Sequence, residues 1–356
     1  MEKGGMTVRA FGVTMLIAAI AGAVFEAVGM FLPWLLGPMF ALLLVNQFTK
    51  IPLHWPKILR TVGLVMLGVQ IGSSFTQDAV LLMVVDLPYM AFMTVSVVTL
   101  SIGLGLLFKR MVHESLATSL LGSIPGGLAQ MVVIAEEIPS ANITVVTMMQ
   151  TIRIFMVVTI VPFLTIFLNG RGAGELEQQL FAFSPTLFLL ASVVGVVFFF
   201  GMKRIGFPAA ELLAPILTMA AVQTVSGDVL IDMPYWLIAI AQVCIGASLG
   251  LQMEGIGDKL TFRLGAAIVL NNVLLIGFTV LIAFVLTAWL PEYIFLDFFL
   301  SAAPGGIAEM AITALAAGGD VALITGFQLF RLFFILLVAA PVVAYIVKKL
   351  DAKSGY

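Results

Sequence analysis

Apolar runs of membrane length recur along the whole chain, separated by short polar breaks, at about residues 11–31, 33–48, 59–77, 86–108, 117–135 and 141–168. A second set follows at about 182–202, 207–224, 234–252, 264–289, 296–317 and 320–347. Roughly 20 apolar residues are enough for a helix to cross a bilayer. The pattern therefore predicts an all-α polytopic membrane protein with 10–12 hydrophobic segments, six runs to each half. The first run follows Lys3 and Arg9 and has span length, unlike the short apolar core of a cleaved signal peptide, so it predicts an uncleaved helix. The one candidate linker is Asn169–Gln179, with Gly170, Gly172 and Gly174 among polar residues. It divides a first membrane repeat at 1–170 from a second at 180–350.

The halves are related. Ser123-Ile124-Pro125-Gly126-Gly127-Leu128-Ala129-Gln130-Met131 returns 179 residues later as Ala302-Ala303-Pro304-Gly305-Gly306-Ile307-Ala308-Glu309-Met310. Thr147, Gln150, Arg153 and Phe155 return 178 residues later as Thr325, Gln328, Arg331 and Phe333. Leu35-Leu36-Gly37-Pro38 matches Leu212-Leu213-Ala214-Pro215, Gly68 and Gly72 match Gly246 and Gly250, and Pro162 matches Pro341. The fifth run of each half opens on Pro-Gly-Gly, which predicts a re-entrant or broken segment with irregular backbone at membrane depth. Such backbone is tolerated only inside protein or against a wet cavity.

Charge decides between two topologies, because Lys and Arg collect in cytoplasmic loops. If the fifth run re-enters, each repeat has about five crossings and the two repeats are inverted. Lys3, Arg9, Lys50, Lys57, Arg60, Lys109, Arg110, Lys203, Arg204, Lys259, Arg263, Lys348, Lys349 and Lys353 then share the cytoplasmic side, and Arg171 alone lies outside. If every run crosses, that 14 to 1 division falls to 11 to 4. The inverted arrangement, with both termini cytoplasmic and the linker outside, is the expectation.

Composition narrows the function classes. The chain is 62% hydrophobic and 10% charged, against about 25% charged for soluble domains. No basic module for nucleic acid is present, so DNA or RNA is not an expected partner; the lipid bilayer is. A single cysteine, Cys244, excludes an internal disulfide and reads as packing. The two histidines, His54 and His113, lie in loops. No His/Cys cluster offers the converging ligands of a metal site, and no nucleophile–base set points to an enzyme; no cofactor is expected.

Two cations remain inside the membrane in either topology, Arg153 and Arg331. A charge at the bilayer centre costs about 2.5–3.5 kcal/mol even on the lenient scale, so each must face the protein and find partners. Residues three apart share a helix face, which makes Thr147/Gln150/Arg153 and Thr325/Gln328/Arg331 two polar stripes. One reading has each arginine tie down carbonyls freed at Pro125-Gly126-Gly127 and Pro304-Gly305-Gly306. The other has them hold an anionic group. Proline opens the helix, glycines permit positive φ and close approach, and a half-helix start attracts anions. Gln130 and Glu309 occupy matched places after the turns. Glu309 is a candidate proton carrier or arginine partner, with a static salt bridge or a helix cap as the alternative. Glu26 and Glu211 also sit in apolar surroundings, with interface positions as the plainer reading. The Gly68/Gly72 and Gly246/Gly250 pairs read as close helix packing.

The paired Leu-Leu-Gly-Pro and Leu-Leu-Ala-Pro, the two Pro-Gly-Gly phrases and the two Thr-x-x-Gln-x-x-Arg stripes resemble the bacterial AbrB-duplication membrane proteins, over about residues 11–347. Members of that family carry the labels ammonia monooxygenase and AbrB family regulator. The resemblance implies a two-repeat integral membrane protein, similar in architecture to the cation/proton antiporter and anion transporter superfamily. Ammonia oxidation needs redox-metal ligands and a DNA-binding regulator needs a soluble basic module; this sequence offers neither.

The expectation is a secondary transporter or exporter of a small anionic metabolite, bound near the midplane between broken helices in a bacterial cytoplasmic membrane. A coupling proton or sodium ion and a homodimer are both compatible with it. The competing expectation is a membrane sensor that affects gene expression indirectly through ligand binding. No Gly-x-x-x-x-Gly-Lys-Ser/Thr motif provides for ATP.

Overall fold

A computed structural model describes residues 2–169, 185–226, 233–253 and 255–354. The linker positions 170–179 lie outside the described residues. Among the described residues the regular structure is helical throughout, and each apolar run of the sequence is a helix or a broken pair of helices. In the first half these are α1 (Glu2–Ala27), α2 (Pro33–Phe48), α3 (Lys57–Gly72), α4 (Gln77–Val112), α5 (Leu116–Ser123), α6 (Leu128–Glu136) and α7 (Ile143–Asn169). The second half has α8 (Pro185–Arg204), α9 (Ala210–Ser226), α10 (Tyr235–Leu251), α11 (Ile256–Lys259), α12 (Phe262–Trp289), α13 (Phe295–Ala302), α14 (Ile307–Ala317) and α15 (Val321–Phe334). A π-helical turn, Ile335–Ala339, then leads into α16 (Ala340–Ser354). Among the described residues, five stretches are long and apolar enough to cross a membrane. The molecule is a multi-pass membrane protein.

The chain divides into two compact units, and these are not the two sequence halves. One takes Met1–Leu82, Pro162–Asp258 and Ala311–Ala322; the other takes Met83–Val161, Lys259–Met310 and Leu323–Tyr356. Each thus collects matched helices from both halves.

In the first unit α2 packs against α1 and α10, α3 against α9 and α10, and α8 against α9. Lipid supplies no hydrophobic drive between helices, so close backbone approach at small residues carries the packing. A methyl group on Gly68 would lie 2.7 Å from the Leu212 carbonyl oxygen and 2.6 Å from Pro215 Cγ. On Gly72 it would lie 2.7 Å from the Ile216 carbonyl oxygen. In the other half, a methyl on Gly246 would collide with the Leu35 carbonyl, and one on Gly250 would lie 2.5 Å from the Met39 carbonyl oxygen. The four glycines therefore serve packing, each pair against the Leu-Leu-x-Pro helix of the opposite half. Cys244 is buried and abuts Gly63. Gly246→Leu is expected to abolish folded protein, because a backbone carbonyl cannot rotate away as a side chain can; monodisperse yield on size exclusion checks this.

The second unit holds the broken segments. Most of α4 belongs to it, while the start of α4, in the first unit, lies well before the apolar run at 86, because Thr76 Oγ1 accepts from the Ala79 N–H at 3.2 Å and Asp78 complements the helix start. α5 is capped by Ser115, whose Oγ accepts from the Thr118 N–H at 3.0 Å. A core of Leu120, Leu121, Ile124, Met131 and Val146 packs with Ile335, Ala339 and Val343 from the end of the chain. At the surface Lys348 pairs with Glu137 at 3.1 Å, both well exposed.

Candidate functional site

α5 ends at Ser123 and α6 begins at Leu128, so the carbonyls closing α5 have no following turn to serve them. Pro125 adds no N–H. The polar stripe of α7 fills the gap. Gln150 Nε2 donates to the carbonyls of Leu121, Gly122 and Ile124 at 2.7, 3.3 and 3.0 Å. Arg153 Nη1 donates to Ile124 O and Nη2 to Gly126 O, both at 3.0 Å. A cation is well placed here, because a helix C-terminus carries partial negative charge.

The second half repeats this network nearly atom for atom. Gln328 Nε2 donates to Leu300, Ser301 and Ala303 carbonyls at 2.7, 3.3 and 3.2 Å. Arg331 Nη1 donates to Ala303 O at 2.6 Å and Ala302 O at 3.2 Å, and Nη2 to Gly305 O at 2.9 Å. Arg331 Nη2 also donates to Gln328 Oε1. Both arginines and both glutamines are buried. The reading in which the arginines tie down carbonyls freed at the Pro-Gly-Gly turns is what these bonds realise.

The two breaks lie together. A methyl group on Gly305 would sit 2.9 Å from Val157 Cγ1, one turn past Arg153 on α7. Asn271 of α12 donates to Ser123 Oγ at 3.0 Å, at the end of α5. The N–H of Asn142, just before α7, donates to Thr118 Oγ1, on the first turn of α5, at 2.8 Å.

The glycines do not use the positive φ expected of them; left-handed glycines occur at Gly29, Gly206, Gly255 and Gly318 instead. Close approach is their role. A side chain on Gly126 would strike Met131, and on Gly127 it would strike Gln130 Oε1. The matched substitution at Gly306 would strike the Glu309 carboxylate. Gly127 is the N-cap of α6 and Gln130 its third residue, and Glu309 is the third residue of α14. A Glu or Gln there reaches back over the helix start, as in a capping box.

Not every expected residue joins the turns. Thr147 Oγ1 bonds its own helix, at Ile143 O, 2.8 Å. Thr325 is fully buried and its hydroxyl has no hydrogen-bond partner among the described residues. Glu26 is exposed and accepts from Tyr235 OH at 3.2 Å, and Glu211 is half-buried in the first turn of α9. Among the buried polar residues that the sequence analysis did not single out are Asn271, Asp86 and Asp297. Asp86 accepts from Tyr293 OH at 2.7 Å. Burial and this bond to Asp86 push the Tyr293 phenol well above its ordinary range. The signal was available, since each lies within or at the edge of an apolar run. A separate cavity of about 420 Å³ opens at the end of α4, lined by Leu106, Lys109, Arg110, His113 and Glu114, and includes no residue of the turns.

The family model described as "Transition state regulatory protein AbrB" matches residues 34–347. The chain is similar to the Escherichia coli (strain K12) protein named "Putative regulator AbrB", 30% identical over 353 residues, covering 96% of this chain and 97% of that one. It is also similar to the Bacillus subtilis (strain 168) protein named "Uncharacterized protein YhjN", 24% identical over 363 residues, covering 91% and 90%.

Proposed function

The chain belongs to the AbrB family, and from that premise we propose that it is a secondary transporter or exporter of a small anionic metabolite, bound where the two helix breaks meet. The observation that carries this is the pair of buried guanidinium groups at matched breaks, with the second break approaching α7 just past Arg153. Two like charges in a low-dielectric interior repel, and an anion between them relieves that repulsion. The starts of α6 and α14 lie at the same breaks, and helix starts favour anions. Broken segments in matched positions of two repeats are a recurrent place for a transport site.

In this reading the fifth segments are re-entrant hairpins. The start of α7 bonds the start of α5 through Asn142 and Thr118, and Gln150 then meets the end of α5. α7 thus runs alongside α5 in the same direction, so the intervening α6 returns the chain to the side it came from. The repeats are inverted in this reading. Gly246 and Gly250 of α10 meet Leu35 and Met39 of α2 in the same order, and Gly68 and Gly72 of α3 meet Leu212 and Ile216 of α9 likewise. α9 therefore runs with α3, which follows α2 by a short loop and reverses it, although α9 is the counterpart of α2. The 14 to 1 division of basic residues supports a cytoplasmic side for both termini in this reading. Accordingly, single cysteines in the 170–179 linker of a Cys244→Ala protein are expected to label from outside; labelling from the cytoplasmic side alone refutes the inverted arrangement.

The test of function is reconstitution. Purified protein in proteoliposomes is expected to exchange a small carboxylate pool across the membrane. The printed names of the family and of the Escherichia coli relative favour a second reading, a membrane sensor that affects gene expression indirectly. That reading expects ligand-induced thermal stabilisation with no flux.

A further inference from the structure

We infer that Gln150 and Arg153 are the recognition pair of this site and that they select a 2-hydroxycarboxylate over an anion that offers acceptors alone. The inference rests on the anion-site reading above and adds the ligand class and the half of the site that reads it.

The two halves match closely at the breaks, with two differences: Arg331 Nη1 donates to Ala302 O as well as Ala303 O, where Arg153 Nη1 donates to Ile124 O, and the amide oxygens of the two glutamines are met differently. In the second half Gln328 Oε1 accepts from Arg331 Nη2, so that pair is closed upon itself. In the first half Gln150 Oε1 and Arg153 Nε have no hydrogen-bond partner among the described residues, although Gln150 is 0% and Arg153 4% exposed. Buried polar groups are rarely left unmet, because the desolvation penalty is then uncompensated. One of the two open atoms is a donor and the other an acceptor. They stand three residues apart on one helix face, where side chains begin about 5–6 Å apart, so one small molecule can serve both. The start of α6 beside them is also less enclosed than its counterpart: Leu128 is half-buried and Ala129 exposed, whereas Ile307 and Ala308 are buried.

The chemistry of the two atoms sets the class. Arg153 Nε needs an acceptor, which a carboxylate supplies. Gln150 Oε1 accepts only, so it needs a donor, which acetate, chloride or nitrate cannot offer. An ammonium group would meet that need but would bring a third positive charge to two guanidinium groups. A hydroxyl beside the carboxylate meets it without charge. Ser301 and Thr325 also hold buried hydroxyls without partners, but a hydroxyl both donates and accepts and selects nothing.

The test uses matched probes on the purified full-length protein at constant ionic strength. Thermal stabilisation is titrated with glycolate against acetate and with lactate against propionate. Each pair differs by one hydroxyl. The hydroxylated member is expected to bind at least about tenfold more tightly, since the analogue strands a buried acceptor. Arg153→Lys keeps the charge but loses Nε, and the ratio is expected to fall toward one. Arg331→Lys is expected to weaken binding of both members of each pair alike, and so to keep the ratio. Equal binding of glycolate and acetate overturns the inference while leaving an anion site in place, and this comparison needs no variant. No stabilisation by any of the four carboxylates overturns the anion site itself, and the inference with it. Loss of the ratio in Arg331→Lys with retention in Arg153→Lys overturns the assignment to the first half.

Discussion

Arg331→Ala is expected to cost more folded protein than Arg153→Ala, although both arginines occupy the same place in their repeats. Without Arg331, the carbonyls of Ala302 and Gly305 lose their side-chain donor, while Ala303 O keeps Gln328 Nε2. Without Arg153, Gly126 O loses its donor and Ile124 O keeps Gln150 Nε2. A buried group left unmet costs about 1–3 kcal/mol. Arg331→Ala also strands Gln328 Oε1, which gives about 3–9 kcal/mol for Arg331→Ala and about 1–3 kcal/mol for Arg153→Ala, against a typical total margin of about 5–15 kcal/mol. Thermal unfolding of the two purified variants ranks them directly. Lysine at either place restores the charge but not the planar fork that spans two carbonyls, so each Lys variant is expected to lie between wild type and Ala. An Arg331→Ala protein that melts like wild type yet loses all ligand response would mean that the guanidinium is held for the ligand and the backbone does not need it.

The broken segments and the polar stripes were legible in the sequence because duplication wrote them twice. Pro-Gly-Gly recurs with one offset and Thr-x-x-Gln-x-x-Arg with nearly the same one, so the pairing of Gln150 and Arg153 with the first break, and of Gln328 and Arg331 with the second, could be expected before any coordinates. The glycine pairs at Gly68/Gly72 and Gly246/Gly250 were also readable as packing, since small residues four apart have few other uses in an apolar helix. What packs against what was not readable. In a membrane protein both the lipid face and the buried face of a helix are apolar, so periodicity does not tell one from the other. The grouping of α1–α3 with α8–α10 therefore emerges only from contacts. The left-handed glycines were misplaced for a different reason. Pro-Gly-Gly is compatible with several turns, and here the backbone stays at negative φ while the side chains of Gln130 and Glu309 crowd the space a Cβ would take. The π turn at Ile335–Ala339 has no counterpart in α7, although Pro341 matches Pro162. The second half holds one more residue between Arg331 and Pro341 than the first holds between Arg153 and Pro162, and a π turn takes up an extra residue of this kind within a helix.

Glu309→Gln is expected to keep the fold and remove the pH dependence of transport. The structural half of that expectation comes from the first broken segment, which already carries glutamine at this place. Gln130 Oε1 lies over Gly127 as Glu309 Oε2 lies over Gly306, and either residue serves the third position of a helix start. The melting temperature of the variant is therefore expected to stay within a few degrees of wild type. The chemical half follows from what an amide cannot do. A carboxyl inside a membrane protein can pass between charged and neutral as its surroundings change, whereas glutamine is neutral throughout. Glu309 is buried and is the one acidic departure between two otherwise matched phrases, so it is the group through which a proton would be coupled to movement of the anion. Counterflow in proteoliposomes between pH 5 and 8 distinguishes the outcomes. A flat profile in Glu309→Gln with a sloping profile in wild type assigns the coupling to this carboxyl. The same slope in both leaves Glu309 as a helix cap and moves the search to Asp86 and Asp297, the other buried carboxylates of the same unit. A large drop in melting temperature would mean instead that the charge of Glu309 is held permanently by a partner, and a permanently paired carboxylate cannot cycle.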